Sequence, residues 1–423
     1  MIGSENPQQF GFMTGVLQQK ASNRTALSNA TEPFSDRLPF VEGLRALGMS
    51  LVFWGHFANM FSPYLERGST SSNLAAYFEV WGHRGISFFF VITGYFVYGK
   101  FLQAKGDYPA FVKKRLLRIC PLYWSILILY LVLGAFIPAA SKLPHGLGAS
   151  TKYILENFFL LQGFIERPLI SVSWAITYLV LAYVALPLLV VGLRMPSWSQ
   201  RQRVAGIVFG SLLWLAFCYR CPVFSPRVVI LAVGMLLYEA LGRNRFLQTF
   251  SRKGEIGAVA LWVLAMTLWF LADKKLLGFL PPLPLASFYR YLFLSIALFY
   301  TSAYAFGYDG FLKRFLSLKI LRQIGKINYA FYLGHGLVLK ATELAANTLL
   351  PPSYRSDLFF WGILPICYSA GIGTAWLLFA AVEQPFSRWY RKAPSRNGPS
   401  ESVKETSRRN RHDCRHDEVH STI

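Results

Sequence analysis

An arginine and a histidine stand at the two ends of one apolar run, RALGMSLVFWGH, at positions 45 and 56. Eleven residues make close to three helical turns, so both side chains share one helix face and lie about 16 Å apart. The pKa of histidine lies near neutrality, so His56 can take a proton from a hydroxyl group or carry an acyl group. An ionisable residue in a spanning helix costs about 2.5–3.5 kcal/mol, which marks Arg45 and His56 as candidate functional residues.

Each of these two residues also has a structural interpretation. Arg45 can extend its guanidinium to the lipid headgroups, and a lone histidine more often hydrogen-bonds a backbone carbonyl than takes part in chemistry. His335, in KINYAFYLGHGLVL, changes this balance because it is also expected at membrane depth. Two histidines without cysteine or aspartate ligands favour acid–base chemistry or substrate orientation over a metal site. The other ionisable residues expected at this depth are Arg84 and Glu343, and Glu343 can share a face with His335.

The basic segment KKRLLRICPLYW places Arg115 and Arg118 three residues apart, and therefore side by side on a helix surface. Two adjacent guanidiniums suit a phosphate-rich ligand. The same residues can instead anchor a spanning helix on the cytoplasmic side of a membrane. From this segment alone, the anchor is the stronger interpretation.

Helices that cross a membrane must position all these residues, and the composition predicts such helices. Of the 423 residues, 54% are hydrophobic and only 15% are charged, unlike the residues of a soluble domain. We predict an all-α polytopic membrane protein with about ten transmembrane helices. The predicted spans cover residues 41–61, 84–99, 120–140, 172–193, 204–219, 227–241, 256–272, 287–306, 327–349 and 358–382. The segment 153–165 is too short to span and carries Glu156, so we expect it to be interfacial or re-entrant.

Basic residues predict the topology. Lysine and arginine are more numerous in the predicted inner loops than in the outer ones when both termini are cytoplasmic. Residues 38–390 then form the transmembrane domain, between a flexible tail at 1–37 and a disordered basic tail at 391–423. The plasma (inner) membrane is the expected location, with the lipid bilayer as a partner.

Two other classes of partner are not expected. The net charge of +22 comes from short basic clusters between apolar segments, a distribution typical of cytoplasmic loops and not of a nucleic-acid-binding domain. The five cysteines are scattered, and the close pair Cys218 and Cys221 has no second pair or histidine cluster to complete a zinc site. The sequence therefore predicts neither a bound metal nor a disulfide framework.

Taken in order, five motifs resemble those of the integral-membrane acyltransferase-3 family, which includes O-antigen, peptidoglycan, Nod-factor and macrolide O-acyltransferases. The resemblance covers about residues 37–390. It rests on Arg45 and His56 with ten residues between them, and on the segments GISFFFVITGYFV, RLLRICPLYW, GKINYAFYLGHG and VEQPF. Two positions depart from the family pattern: Leu179 stands where a glutamate is usual, and Ser87 stands where an aspartate is common.

The resemblance implies transfer of an acyl group, most often acetyl, from a coenzyme A thioester to a hydroxyl of a carbohydrate or other acceptor. Arg115 and Arg118 would bind the donor's phosphates, and Arg45 would guide the donor into the bundle. His56 would act as base or acyl carrier, with His335 orienting the thioester or moving a second proton. The rival hypotheses are a proton-coupled transporter and, given Leu179, a catalytically inactive family member.

Overall fold

The computed structural model describes residues 38–103, 106–137, 141–164, 168–221, 224–274, 285–349 and 356–392. Regular secondary structure within these ranges is helical. The α-helices are α1 Pro39–Phe61, α2 Thr70–Gly85, α3 Ser87–Leu102, α4 Tyr108–Phe136, α5 Leu147–Phe158, α6 Trp174–Gly192, α7 Gln200–Arg220, α8 Val229–Leu241, α9 Asn244–Gln248, α10 Arg252–Asp273, α11 Leu285–Gly307, α12 Phe311–Leu316, α13 Lys319–Lys326, α14 Asn328–Leu349, α15 Asp357–Leu378 and α16 Gln384–Lys392. A π-helical turn, Phe379–Glu383, joins α15 to α16.

Helix α1 lies at the centre of the bundle. It begins at Pro39, a residue whose missing N–H suits the first helical turn. Most of its apolar side chains are buried, as expected for a helix packed on most of its faces, and Trp54 is exposed. The helices α2, α3, α12, α13, α14 and α15 all pack against it.

Glycines bring α1 and α2 into backbone contact. A Cβ atom at Gly82 would lie 2.2 Å from the Cα atom of Gly55, and one at Gly85 would lie 2.4 Å from the carbonyl oxygen of Gly48. Only glycine permits this approach, which is common where small residues line helix interfaces in membranes. The contact fixes the register of the two helices and therefore places the residue after Gly55 beside the residue after Gly82.

The helix predicted over 84–99 is longer than expected. Helices α2 and α3 continue each other across Ile86, and together they cover Thr70–Leu102. The segment TSSN that opens α2 is polar, so its hydropathy predicts an outer loop. In the structure the Ser69 hydroxyl caps α2 by accepting a hydrogen bond from the Ser72 N–H at 3.1 Å, and packing on α1 supplies the remaining stabilisation.

Each of the ten predicted spans contains a helix of the structure, but fewer helices meet a length and hydropathy criterion for crossing a bilayer. Within the described residues, six helices are long and apolar enough: Thr70–Leu102, Tyr108–Phe136, Trp174–Gly192, Gln200–Arg220, Arg252–Asp273 and Asp357–Trp389. Helix α8 has only 13 residues, and α1, α11 and α14 are also outside this set. The count of ten spans and the cytoplasmic placement of both termini stay predictions.

Three further predictions concern the edges of the domain. Helix α5 covers part of the segment 153–165, and with 12 residues it is too short to cross a bilayer. The predicted tail at 1–37 lies outside the described residues. So does the predicted tail at 391–423, apart from the last two residues of α16.

Candidate active site

A small cavity lies at the end of the bundle where α1 begins. Its volume is about 100 Å³, and five helices line it. The lining residues are Arg45, Met49, Ile86, Phe89, Arg115, Arg118, Ile119, Ile176, Leu179, Tyr183, Asn328, Tyr329 and Tyr332. We refer to it as the Arg45 cavity. It brings together all three arginines that the sequence predicts for donor binding.

Aromatic rings and one carboxylate hold two of these arginines in place. Arg45 donates a hydrogen bond to Glu42 at 2.9 Å, and the Arg115 guanidinium lies 5.3 Å and 5.1 Å from the ring centroids of Phe111 and Tyr183. Arg118 is exposed. Cation–π stacking and an ion pair fix the first two groups, while the third can reach a ligand at the surface.

The closing motif VEQPF contributes to the same region. The Arg118 charge acts on Glu383, which lies in the π-helical turn. The Tyr329 hydroxyl donates a hydrogen bond to the backbone carbonyl of Ile119 at 2.8 Å and so ties α14 to α4. Motifs more than 200 residues apart in the chain therefore meet at the Arg45 cavity.

Helices α1 and α14 leave the Arg45 cavity side by side and carry the two predicted histidines. Arg45 and Asn328 line the cavity, while His56 lies eleven residues along α1 and His335 seven residues along α14. The ring centroids of His56 and His335 are 5.4 Å apart. The structure thus pairs the two histidines, and it places Arg45 with Arg115 and Arg118 instead of with them.

A third histidine, His83, completes what we call the histidine cluster. Its ring centroid lies 6.2 Å from that of His56, with the rings nearly perpendicular at 87°. His83 is not among the site residues that the sequence predicts, because it falls in a predicted loop. The available signal was the short Gly-x-x-Gly spacing of Gly82 and Gly85, which predicts close packing on another helix.

Hydrogen bonding fixes the tautomer of His335. The side chain is fully buried, and its Nδ1 lies 3.0 Å from the backbone carbonyl oxygen of Phe331. A carbonyl oxygen only accepts hydrogen bonds, so Nδ1 carries the proton and donates it. The lone pair is therefore on Nε2, which is buried without a hydrogen-bond partner among the described residues. This nitrogen is a ready proton acceptor beside His56.

His56 is arranged differently. Its side chain is half-buried, and no hydrogen bond to any described residue holds its ring. It can therefore contact a bound substrate, whereas His335 lies behind it. In the part of the chain that the structure describes, no group of three His, Cys, Asp or Glu side chains could hold a metal ion.

Two other predicted residues have distinct positions. Glu343 forms an ion pair with Lys340 at 2.7 Å and lies eight residues, just over two turns, from His335 along α14. Arg84, at the end of α2, is buried next to His83, and its guanidinium carbon lies 3.7 Å from the centroid of the Trp269 ring. Arg84 therefore lies within the continuous helix Thr70–Leu102, with its side chain inside the bundle.

The two positions that depart from the family pattern lie near the site. Leu179 lines the Arg45 cavity, so its apolar side chain faces the region of three guanidiniums. Ser87 is buried in the first turn of α3. Because Leu179 replaces the usual glutamate, the cavity lacks a carboxylate at that position. Its charge is therefore more positive than it would be with the glutamate.

The family model for an acyltransferase domain, acyltransferase 3, matches residues 38–380, which is most of the chain. The protein belongs to the acyltransferase-3 family. No curated protein and no solved structure gives a significant match to the chain. The family model covers the Arg45 cavity residues and the histidine cluster, and acyl transfer is the general activity of the family. Together with the six apolar helices, it indicates an integral membrane acyltransferase.

Proposed function

We propose that this protein is a membrane-bound O-acyltransferase that moves an acyl group, with acetyl as the first candidate, from a coenzyme A thioester to a hydroxyl. The acceptor is a carbohydrate or another hydroxyl compound. The observation that carries this proposal is the His56–His335 pair at 5.4 Å, on the two helices α1 and α14 that also line the Arg45 cavity. The protein resides in the plasma (inner) membrane, with the Arg45 cavity open to the cytoplasm.

The Arg45 cavity suits the charged part of the donor. Arg115 and Arg118 bind the donor phosphates through charge-assisted hydrogen bonds, and Arg45 draws the thioester arm inward. The cavity volume of about 100 Å³ accommodates phosphate groups but not a nucleoside, so the adenosine stays at the membrane surface. The narrow acyl-bearing arm then extends between α1 and α14 towards His56.

The histidines perform proton transfer. His56 accepts the proton of the acceptor hydroxyl while its oxygen attacks the thioester carbonyl. A C–O bond forms, the C–S bond breaks, and the proton passes from His56 to the departing coenzyme A sulfur. The His335 Nε2 lone pair stabilises the protonated His56 ring during this step. An acyl-histidine on His56 would give the same net reaction in two steps.

Acyl transfer by purified protein in detergent tests this proposal. Labelled acetyl-CoA is consumed in the presence of a panel of hydroxyl acceptors, and His56→Ala lowers turnover by about 10²–10⁴-fold because the base is lost. His145→Ala is the matched control, since His145 lies exposed in the segment between α4 and α5. Normal turnover in a folded His56→Ala variant would contradict the proposal. Absence of thioester consumption with every acceptor would favour the transporter hypothesis.

A further inference from the structure

Three arginines meet near the histidine cluster, although they come from distant parts of the sequence. Arg84 ends α2, Arg227 precedes α8, and Arg290 lies near the start of α11. The guanidinium carbons of Arg84 and Arg290 lie 3.7 Å and 5.6 Å from the centroid of the same Trp269 ring. We call this set the Arg84 cluster.

Tyr291 links the third arginine to the other two. Its ring packs edge-on against Trp269 with centroids 5.3 Å apart, and its hydroxyl accepts a hydrogen bond from Arg227 Nε at 3.1 Å. The Arg227 guanidinium carbon also lies 4.2 Å from the centroid of the Trp174 ring. Rigid aromatic rings therefore hold the three cations in fixed positions within one region.

The Arg84 cluster carries more positive than negative charge. Arg290 donates a hydrogen bond to Asp273 at 2.6 Å, and both groups are partly open to solvent. Arg84 is only 9% exposed, forms no ion pair, and has an Nε without a hydrogen-bond partner among the described residues. Arg227 and Arg290 act on it as like charges, and the Asp273 carboxylate acts on it as the one opposite charge among the described acidic residues. Burial of an unpaired guanidinium is costly, so the arrangement fits a site that an anion completes.

The position of the Arg84 cluster relates it to the reacting groups. Arg84 follows His83 directly in the chain, and the charges of Arg84 and Arg227 both act on His83. The His83 ring contacts His56. An anion held by Arg84 and Arg227 would therefore lie beside His83, next to His56, and none of the three arginines lines the Arg45 cavity. The donor enters through that cavity, so this position belongs to the second substrate.

We propose that the Arg84 cluster binds an anionic group of the acceptor, a carboxylate or a phosphate, and thereby selects acidic acceptors over neutral ones. The assignment to the acceptor rests on the proposed function. Guanidiniums bind both groups through paired hydrogen bonds, and Arg84 and Arg227 approach the site from different helices. The Arg84 cluster positions the acceptor hydroxyl at His56 and takes no part in the transfer itself.

Anion binding by the purified full-length protein tests this inference. Coenzyme A at saturating concentration first occupies the Arg45 cavity, and the thermal midpoint is then measured with inorganic phosphate, glucuronate or glucose at constant ionic strength. Phosphate, glucuronate or both raise the midpoint of the wild-type protein, whereas glucose does not. Arg84→Gln and Arg227→Gln weaken the apparent anion affinity by about tenfold or more, because each removes a charge-assisted hydrogen bond.

Two further variants keep this test decisive. Arg67→Gln removes an exposed arginine from the segment between α1 and α2 and retains the full anion response. Arg227→Lys keeps the charge on a half-buried residue and retains part of that response. The Arg227 variants therefore decide the test if Arg84→Gln fails to fold. The inference is overturned if neither anion raises the wild-type midpoint, or if Arg227→Gln responds like the wild type.

An activity arm separates this inference from the proposed function. Acetyl transfer to glucuronate exceeds transfer to glucose by about tenfold or more, and Arg227→Gln removes the difference. Equal rates for both sugars in the wild type would overturn the inference. If no acyl transfer occurs while the anion response persists, the proposed function fails and the anion site stands.

Discussion

The two arginine groups near the histidine cluster differ in how their positive charge is balanced by carboxylates. In the Arg45 cavity, Arg45 has a carboxylate partner three residues away, and Glu383 lies within reach of the Arg118 charge. In the Arg84 cluster, Asp273 pairs with Arg290, while Arg84 is buried and forms no ion pair with any residue that the structure describes. The first group is exposed in part and suited to a ligand that comes and goes at the surface. We infer that the second binds an anion, which would offset its excess positive charge.

The two groups also differ in how they arise from the chain. Arg115 and Arg118 are neighbours on one helix, so their spacing alone predicts that they act together. Arg84, Arg227 and Arg290 are brought together only by the packing of α2, α8 and α11. If the first group binds the donor and the second the acceptor, the two substrates would meet at the histidine cluster. The division of roles can be tested by changing one group at a time.

Substitution of a residue in the histidine cluster should lower turnover most, because both substrates would react there. His335→Gln removes the Nε2 lone pair beside His56, so we expect kcat to fall by about 10²–10⁴-fold with little change in the KM for the donor. The matched control on the same helix is Glu343→Gln, which leaves kcat unchanged. A His335→Gln variant with normal kcat would assign His335 a purely structural role.

The Arg45 cavity should control the donor alone. Arg118→Gln removes a charge-assisted hydrogen bond to a donor phosphate, so we expect the KM for acetyl-CoA to rise by about 10–100-fold. The KM for the acceptor stays near its wild-type value in this variant. Lys114→Gln, an exposed position on the same helix, controls for the loss of one positive charge. An unchanged donor KM would return Arg118 to the role of a membrane anchor.

The sequence predicted helices better than it predicted their ends and their contacts. The motif spacing selected Arg45, His56, Arg115, Arg118 and His335 as candidates, because each motif lies on one helix. The predicted start of this helix, at residue 84, was wrong. The segment TSSN is polar, and hydropathy does not show the capping and packing that let α2 begin at Thr70. His83 and Arg227 became visible as site residues only when α1, α2 and α8 were placed side by side.

The glycine contact between α1 and α2 fixes the position of Arg45 relative to Arg84, because each arginine lies on one of these two helices. Gly82→Ala places a Cβ 2.2 Å from the Gly55 backbone, so the helices must separate. We expect the free energy of unfolding in mixed micelles to fall by about 1–3 kcal/mol, as for other overpacked interfaces. Gly257→Ala is the control, because a Cβ there meets no atom within 4 Å. An equally stable Gly82→Ala variant would show that the helices can shift at no cost.

The smallest effect should come from Leu179, where the family usually has a glutamate. Leu179→Glu places a carboxylate among three guanidiniums, so it competes with the donor phosphates for them. We expect the KM for acetyl-CoA to rise by about threefold to tenfold, in line with one partly screened ion pair. Leu179→Gln controls for side-chain shape without charge. A higher kcat in Leu179→Glu would instead show that the wild-type protein lacks a catalytic carboxylate at this position. The Arg45 cavity would then take part in the chemistry as well as in donor binding.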